Sequence, residues 1–195
     1  MQRDSAAMTH EIDVEYATVG GVLLAPARLA EVSRWLRPSD FSGSATRAVY
    51  QVALLVHARG DPVDPVTVLA ELRRRGELRR DGYPAGEILR MVEALPVPAS
   101  MTYYARIVLA QSVSRQVAQV GQRLVQLGSR DRDMGELFAA VGEQFRLLGD
   151  VRRRWAVATG QPLPDPSRAE TREPVPLREA LADLRLPGRD SGLAS

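Results

Sequence analysis

Residues 113–127, VSRQVAQVGQRLVQL, and residues 134–148, MGELFAAVGEQFRLL, decide the fold. In the first, Val113, Val117, Val120, Leu124 and Leu127 recur at intervals of four and three, the period of a coiled-coil-like seam. The second repeats the pattern with Met134, Phe138, Val141, Phe145 and Leu148. Between them Gly128 suits a helix end, and Asp133 with Glu136 three residues on suits the start of the next helix. The turn is therefore short, and the arms form an antiparallel helical hairpin. Two arms alone bury too little apolar surface to stand, so each is expected to pack on a globular body or on a second copy of the chain. Val113, Val117, Val120, Leu124, Leu127, Phe138, Val141, Phe145 and Leu148 are the expected oligomer interface.

Working outward, the chain reads as a leader over 1–8, a helical globule over 9–105, the hairpin over 106–150 and a Pro/Arg-rich tail over 151–195. Thr9 caps a first helix that reaches Leu24, with Ile12, Tyr16, Val19 and Leu23 inward. Gly20 and Gly21 each cost that helix about 1 kcal/mol relative to alanine, which points to another helix crossing close by. Pro26 opens a second helix to Arg37 that buries Leu29, Val32 and Leu36, and Pro38 ends it. Phe41 plugs the core. A third helix, from about Ser44 to Arg59, buries Val49, Val52 and Val56 before Gly60. Asp64 and Pro65 start a fourth, which stops at Gly76. Glu87 to Leu95 form a fifth, broken by Pro96 and Pro98, and Ser100 caps the first arm, whose Tyr103, Tyr104 and Ile107 belong to the globule. No stretch alternates as a half-buried strand does. The fold class is all-α: five to six short helices, a long hairpin and a mostly disordered tail.

Composition excludes several chemistries. The 195 residues contain no cysteine, which removes disulfides, thiolate metal sites and a cysteine nucleophile. His10 and His57 lie in no metal-ligand spacing, so neither a metal nor a cofactor is expected. No apolar run reaches the roughly 18 residues of a membrane span, and Asp4, Glu11 and Asp13 stand where a signal peptide would be apolar. The expected setting is cytoplasmic, without membrane contact. All 26 basic residues are arginine, which lifts the pI to about 9.4 at a net charge of only +2.

The order of local signals resembles a known family. Ala17 to Leu24, Leu36 to Phe41, Gly60 to Thr67, Leu95-Pro96 with Pro98, and Tyr103 to Val108 together resemble the N-terminal domain of DnaB-type hexameric replicative helicases, over roughly residues 11 to 150. The resemblance implies a helical globule followed by a hairpin whose paired copies build a collar. It also implies the replicative helicase or its primase as partners. Two positions depart from the family pattern, Ser42 where an aromatic is usual and Thr46 where histidine is usual.

The tail carries an amphipathic island over 176–185, with Leu177, Leu181 and Leu184 on one face, suited to folding on a partner. It resembles the linker helix that docks on a neighbouring motor domain in the same helicases. The leading functional expectation is a non-enzymatic, homo-oligomeric interaction module that acts as an accessory or regulator of DNA replication. A DNA-associated protein that sets its arginine clusters on phosphates, and a degenerate helicase remnant, are the alternatives.

A P-loop needs a lysine that reaches the nucleotide phosphates, and this sequence has no lysine. The purified 195-residue chain should therefore neither bind nor hydrolyse ATP. Hydrolysis that survives stringent removal of contaminating ATPases would defeat that expectation.

Overall fold

The computed structural model describes residues 14–77, 85–94, 100–129 and 133–162. The leader over 1–8, the cap at Thr9 and the island over 176–185 with Leu177, Leu181 and Leu184 lie outside the described residues. Among the described residues every regular element is helical, as the sequence pattern predicts.

Helix α1 covers residues 14–24 and buries Val19, Val22 and Leu23. Its two glycines have the close neighbours that their helix-weakening cost implies. A Cβ on Gly20 would stand 1.9 Å from the Met91 carbonyl oxygen, and one on Gly21 would stand 2.5 Å from the Met101 side chain. Glycine is what lets two later helices lie against α1.

The second helix is shorter than its periodicity suggests. Pro26–Arg28 form a 3₁₀ turn and α2 spans only Leu29–Val32. Beyond it hydrogen-bonded turns continue to Leu36, and the chain becomes extended only at Arg37, φ −117°, ψ 156°, because Pro38 disfavours a helical residue before it. The expected inward residues Leu29, Val32 and Leu36 are nonetheless buried, together with Trp35. A second 3₁₀ turn, Pro38–Asp40, leads to Phe41, whose ring packs 4.9 Å from that of Tyr50.

Helix α3, Ser44–Ala58, runs through the centre of the core and buries Val49, Val52 and Val56 as expected. Gly60 ends it in the left-handed conformation, φ 80°, so that the Asp61 amide reaches the Val56 carbonyl at 3.2 Å and the Gly60 amide reaches that of His57 at 3.0 Å. Asp64 caps α4, Pro65–Arg74, by accepting from the amides of Val66 at 2.8 Å and Thr67 at 2.9 Å. Helix α5, Ala85–Glu93, packs Ile88 and Met91 into the core and is tied to α1 by the Tyr16 hydroxyl, which donates to Glu87.

The hairpin is α6, Met101–Gly128, and α7, Met134–Thr159. The first part of α6 belongs to the core through Met101, Ala105, Val108 and Leu109. Arg106 donates to the Ala158 carbonyl at 2.8 Å, which places the start of one arm beside the end of the other, antiparallel as predicted. Helix α7 runs past residue 150 to Thr159, so its last turns occupy part of the stretch assigned above to the tail. Three local expectations differ from the outcome. Gly128 stays helical, Ser100 makes no side-chain cap, and Tyr103 is exposed while Tyr104 and Ile107 pack on the core.

One ion-pair cluster joins α4 to the end of α3. The Glu71 carboxylate accepts from Arg74 at 2.6 and 2.9 Å and from Arg59 at 3.2 Å. Arg74 first, then Arg59, hold its pKa down at about 2, against an ordinary 4.5. The unfolded chain therefore takes up this proton at a higher pH than the folded one. The stabilisation from Glu71 is whole above pH 4.5 and is lost as the pH falls towards 2. Urea unfolding across that range should show a weaker acid dependence in Glu71→Gln than in the parent, and identical slopes would show that the cluster is inert.

Candidate functional site

The heptad pattern of the hairpin resolves into two faces. On α6, Val113, Val120 and Leu127 stand seven apart, and on α7 so do Val141 and Leu148. Val120 and Leu127 are buried, Leu124, Val141 and Leu148 are half-buried, and these positions form the seam between the arms, while the half-buried Val113 packs on the core of the globule. The remaining predicted interface residues are turned outward. Val117 is 51% exposed, Phe138 68% and Phe145 62%, and Met134 at 57% and Val125 at 71% extend the exposed set. A two-helix seam needs about one apolar position per turn of each arm, so the other half of the pattern is left uncovered.

The base of the hairpin is fixed by a buried charge that the sequence reading did not find. Asp40 is fully buried, and Arg154 of α7 donates to its Oδ2 at 2.6 Å. The same oxygen accepts the Arg37 amide at 2.7 Å, and Oδ1 accepts the Ser112 hydroxyl of α6 at 2.7 Å. Arg115 donates to the Asp40 carbonyl, and Arg154 also reaches the Trp35 carbonyl at 3.2 Å. Around this pair, Asp150 accepts from Arg37 at 2.8 and 3.2 Å and faces Arg154 at 3.3 Å. Burial works to raise the Asp150 pKa, but Arg37, with Arg154 and Arg153 behind it, holds it below its ordinary value. Burial, and then the Asp40 charge, push the Tyr50 hydroxyl well above its usual range, so it remains a neutral donor to the Leu36 carbonyl at 3.3 Å.

Glu15 is a second buried carboxylate. It accepts from the Ser42 amide at 2.6 Å, the Ser42 hydroxyl at 2.8 Å, the Gly43 amide at 3.0 Å and the Thr46 hydroxyl at 2.7 Å. Ser42 and Thr46, the two departures from the family pattern, thus turn their hydroxyls onto one α1 carboxylate.

The arginine clusters are largely engaged. Arg74 pairs with Glu71, Arg75 with Glu77, and Arg154 is inside the fold; Arg79 and Arg80 lie outside the described residues. Among the described residues no group of three or more His, Asp or Glu could hold a metal, and no helix is long and apolar enough to cross a membrane.

A helical globule clamped to a hairpin with one uncovered apolar face defines an all-α module. The model of the DnaB-like helicase N-terminal domain matches residues 7–110, and the chain belongs to that family. The replicative DNA helicase DnaB of Mycobacterium leprae is 39% identical over 114 residues, 58% of this chain and 19% of the helicase. That of Geobacillus stearothermophilus is 40% identical over 106 residues, 54% of this chain and 23% of the helicase. The chain thus spans about a fifth of these relatives, and the match is to their N-terminal domain. The crystal structure of the N-terminal domain of DnaB helicase from Mycobacterium tuberculosis superposes with a TM-score of 0.62 at 34% identity, covering 69% of this chain and 94% of that one. The N-terminal domain of the Helicobacter pylori DnaB helicase, described with its interactions with primase, shares the fold at 18% identity and a TM-score of 0.54, over 64% of this chain and 97% of that one.

The clamp makes a direct prediction. Asp40→Ala removes the buried partner of the Arg154 guanidinium, leaving only the part-exposed Asp150 at 3.3 Å, and should cost about 3 kcal/mol in urea unfolding. Asp40→Leu combined with Arg154→Met should recover much of that loss, since an apolar pair removes both desolvation costs. If Asp40→Ala unfolds like the parent, the pair is not what holds the hairpin.

Proposed function

We propose that this chain is a non-enzymatic collar module that self-associates through the outward face of its hairpin and acts as an accessory or regulator of the replicative helicase or its primase. The observation that carries this reading is the apolar stripe of Val117, Phe138 and Phe145, exposed on the hairpin while the seam beside it is packed. Fully burying one such phenylalanine is worth about 1.5–3 kcal/mol, so a symmetric pairing that covers both from each copy gains enough to offset much of the association cost. The primase interaction described for the Helicobacter pylori domain supports primase as a partner class. The docking role of Leu177, Leu181 and Leu184 on a motor domain belongs to the same proposal and rests on their spacing in the sequence. Phosphate contact by the arginine clusters has less support, because Arg74, Arg75 and Arg154 already have carboxylate partners.

Light scattering should report a dimer or larger assembly at micromolar concentration. Phe145→Glu, at a position exposed in the single chain, should leave the circular dichroism unchanged and weaken association at least ~10-fold. A parent protein that stays monomeric throughout would remove the assembly claim, and affinity capture from the source cell that brings down neither helicase nor primase would remove the partner claim.

A further inference from the structure

The hairpin carries a second, unlike face. A groove of about 600 Å³ runs along the arms, and Leu147 lines it. Phe145, two residues away on the same helix, is turned by about 200° from Leu147, so the groove and the outward apolar stripe point different ways. Gln116, Gln119, Arg123 and Gln126 follow one another along α6 at spacings of three, four and three, with Gln144 facing them from α7. Val120, Leu148 and Val151 lie beneath as an apolar floor. Gln116 is already bonded to Ser112 at 2.7 Å. Among the described residues Gln119, Gln126, Gln144 and Arg123 make no hydrogen bond, so their donors and acceptors are free for a ligand.

The chemistry selects the occupant. A glutamine amide offers two donors and an acceptor, which match the carbonyl and N–H of a peptide unit. The α6 row spans about 15 Å, the length of roughly five residues of extended chain. Ser39 brings the groove to the clamp, where Arg37, Arg153 and Arg154 outnumber Asp40 and Asp150 by one charge. This end and the unpaired Arg123 favour carboxylates, while the floor favours aliphatic side chains. Single-stranded nucleic acid fits less well, since among the described residues no aromatic side chain lines the groove for base stacking and Arg123 is the one lining cation. We infer that this groove binds an extended acidic peptide of another protein, with aliphatic side chains alternating with carboxylates. The inference does not depend on the apolar face, which points elsewhere.

Fluorescence anisotropy on the full chain tests it, with a labelled, end-capped hexapeptide alternating leucine and glutamate. The comparators are the leucine–lysine counterpart and a labelled oligothymidylate. The glutamate peptide should bind at least ~10-fold more tightly than the lysine peptide. Arg123→Glu, an exposed change whose folding circular dichroism checks, should reverse that order. Gln119→Ala with Gln126→Ala should weaken the glutamate peptide about 10-fold, and Phe145→Glu should leave it unchanged. The inference is overturned by absent saturable binding of the glutamate peptide, by a preference that Arg123→Glu does not alter, or by tighter binding of the oligothymidylate, which would assign the groove to nucleic acid.

Discussion

The bond between Arg154 and Asp40 is the constraint on which the arrangement of the molecule depends. Two charges withdrawn from water carry a desolvation cost of several kcal/mol each, and Coulomb attraction offsets this only when the remaining lone pairs and protons find partners. Here most of them do, through the Arg37 amide, the Ser112 hydroxyl and the Trp35 carbonyl, while the buried Arg154 Nε makes no hydrogen bond and only faces Asp150 at 3.3 Å. The donors come from the Pro38–Asp40 turn, from α6 and from α7, so one carboxylate sets the mutual position of all three. Apolar packing alone would let the arms slide by a turn; directional bonds to a single buried acid do not.

Glu15 plays the corresponding part just beyond the clamp, at the start of α3. Four donors from the loop before α3 and from its first turn converge on it, which satisfies amides that the helix start would otherwise leave open. The hydroxyls of Ser42 and Thr46 are short enough to turn inward at those positions. Two residues that look anomalous beside the family pattern are therefore consistent with one another. Around these acids the core is aliphatic, and the glycines of α1 let α5 and Met101 approach at backbone distance.

What was legible in the sequence follows the range of the interactions. Helix boundaries set by Asp64, Pro65, Gly60 and Asp133 are written within a few residues of the atoms that enforce them, and the structure places them as read. The core residues of α3 and the family relationship were legible for the same reason. The second helix reads longer than it is because an apolar spacing of three and four also fits the irregular helical turns after Val32, which carry Trp35 and Leu36 into the core. Nothing local to the run Arg152-Arg153-Arg154 marks Arg154 as buried, because its partner lies 114 residues away. Periodicity likewise named the apolar positions of the hairpin but could not divide them between the seam and the outward face, a division that requires knowing where the second arm lies.

The position of the clamp also has a mechanical consequence. From Arg154 to Met134, α7 extends about 30 Å beyond its fixed end, held along the way by the seam with α6. The hairpin is thus a cantilever, anchored at one buried acid and loaded wherever a partner grips it. A tilt of about 5° at the anchor would carry the far end through roughly 2.6 Å on that length, close to the depth of an atomic contact. The stiffness of that anchor, the Arg154–Asp40 pair together with the Arg106–Ala158 and Arg37–Asp150 bonds, therefore sets how accurately the distant turn can be aimed.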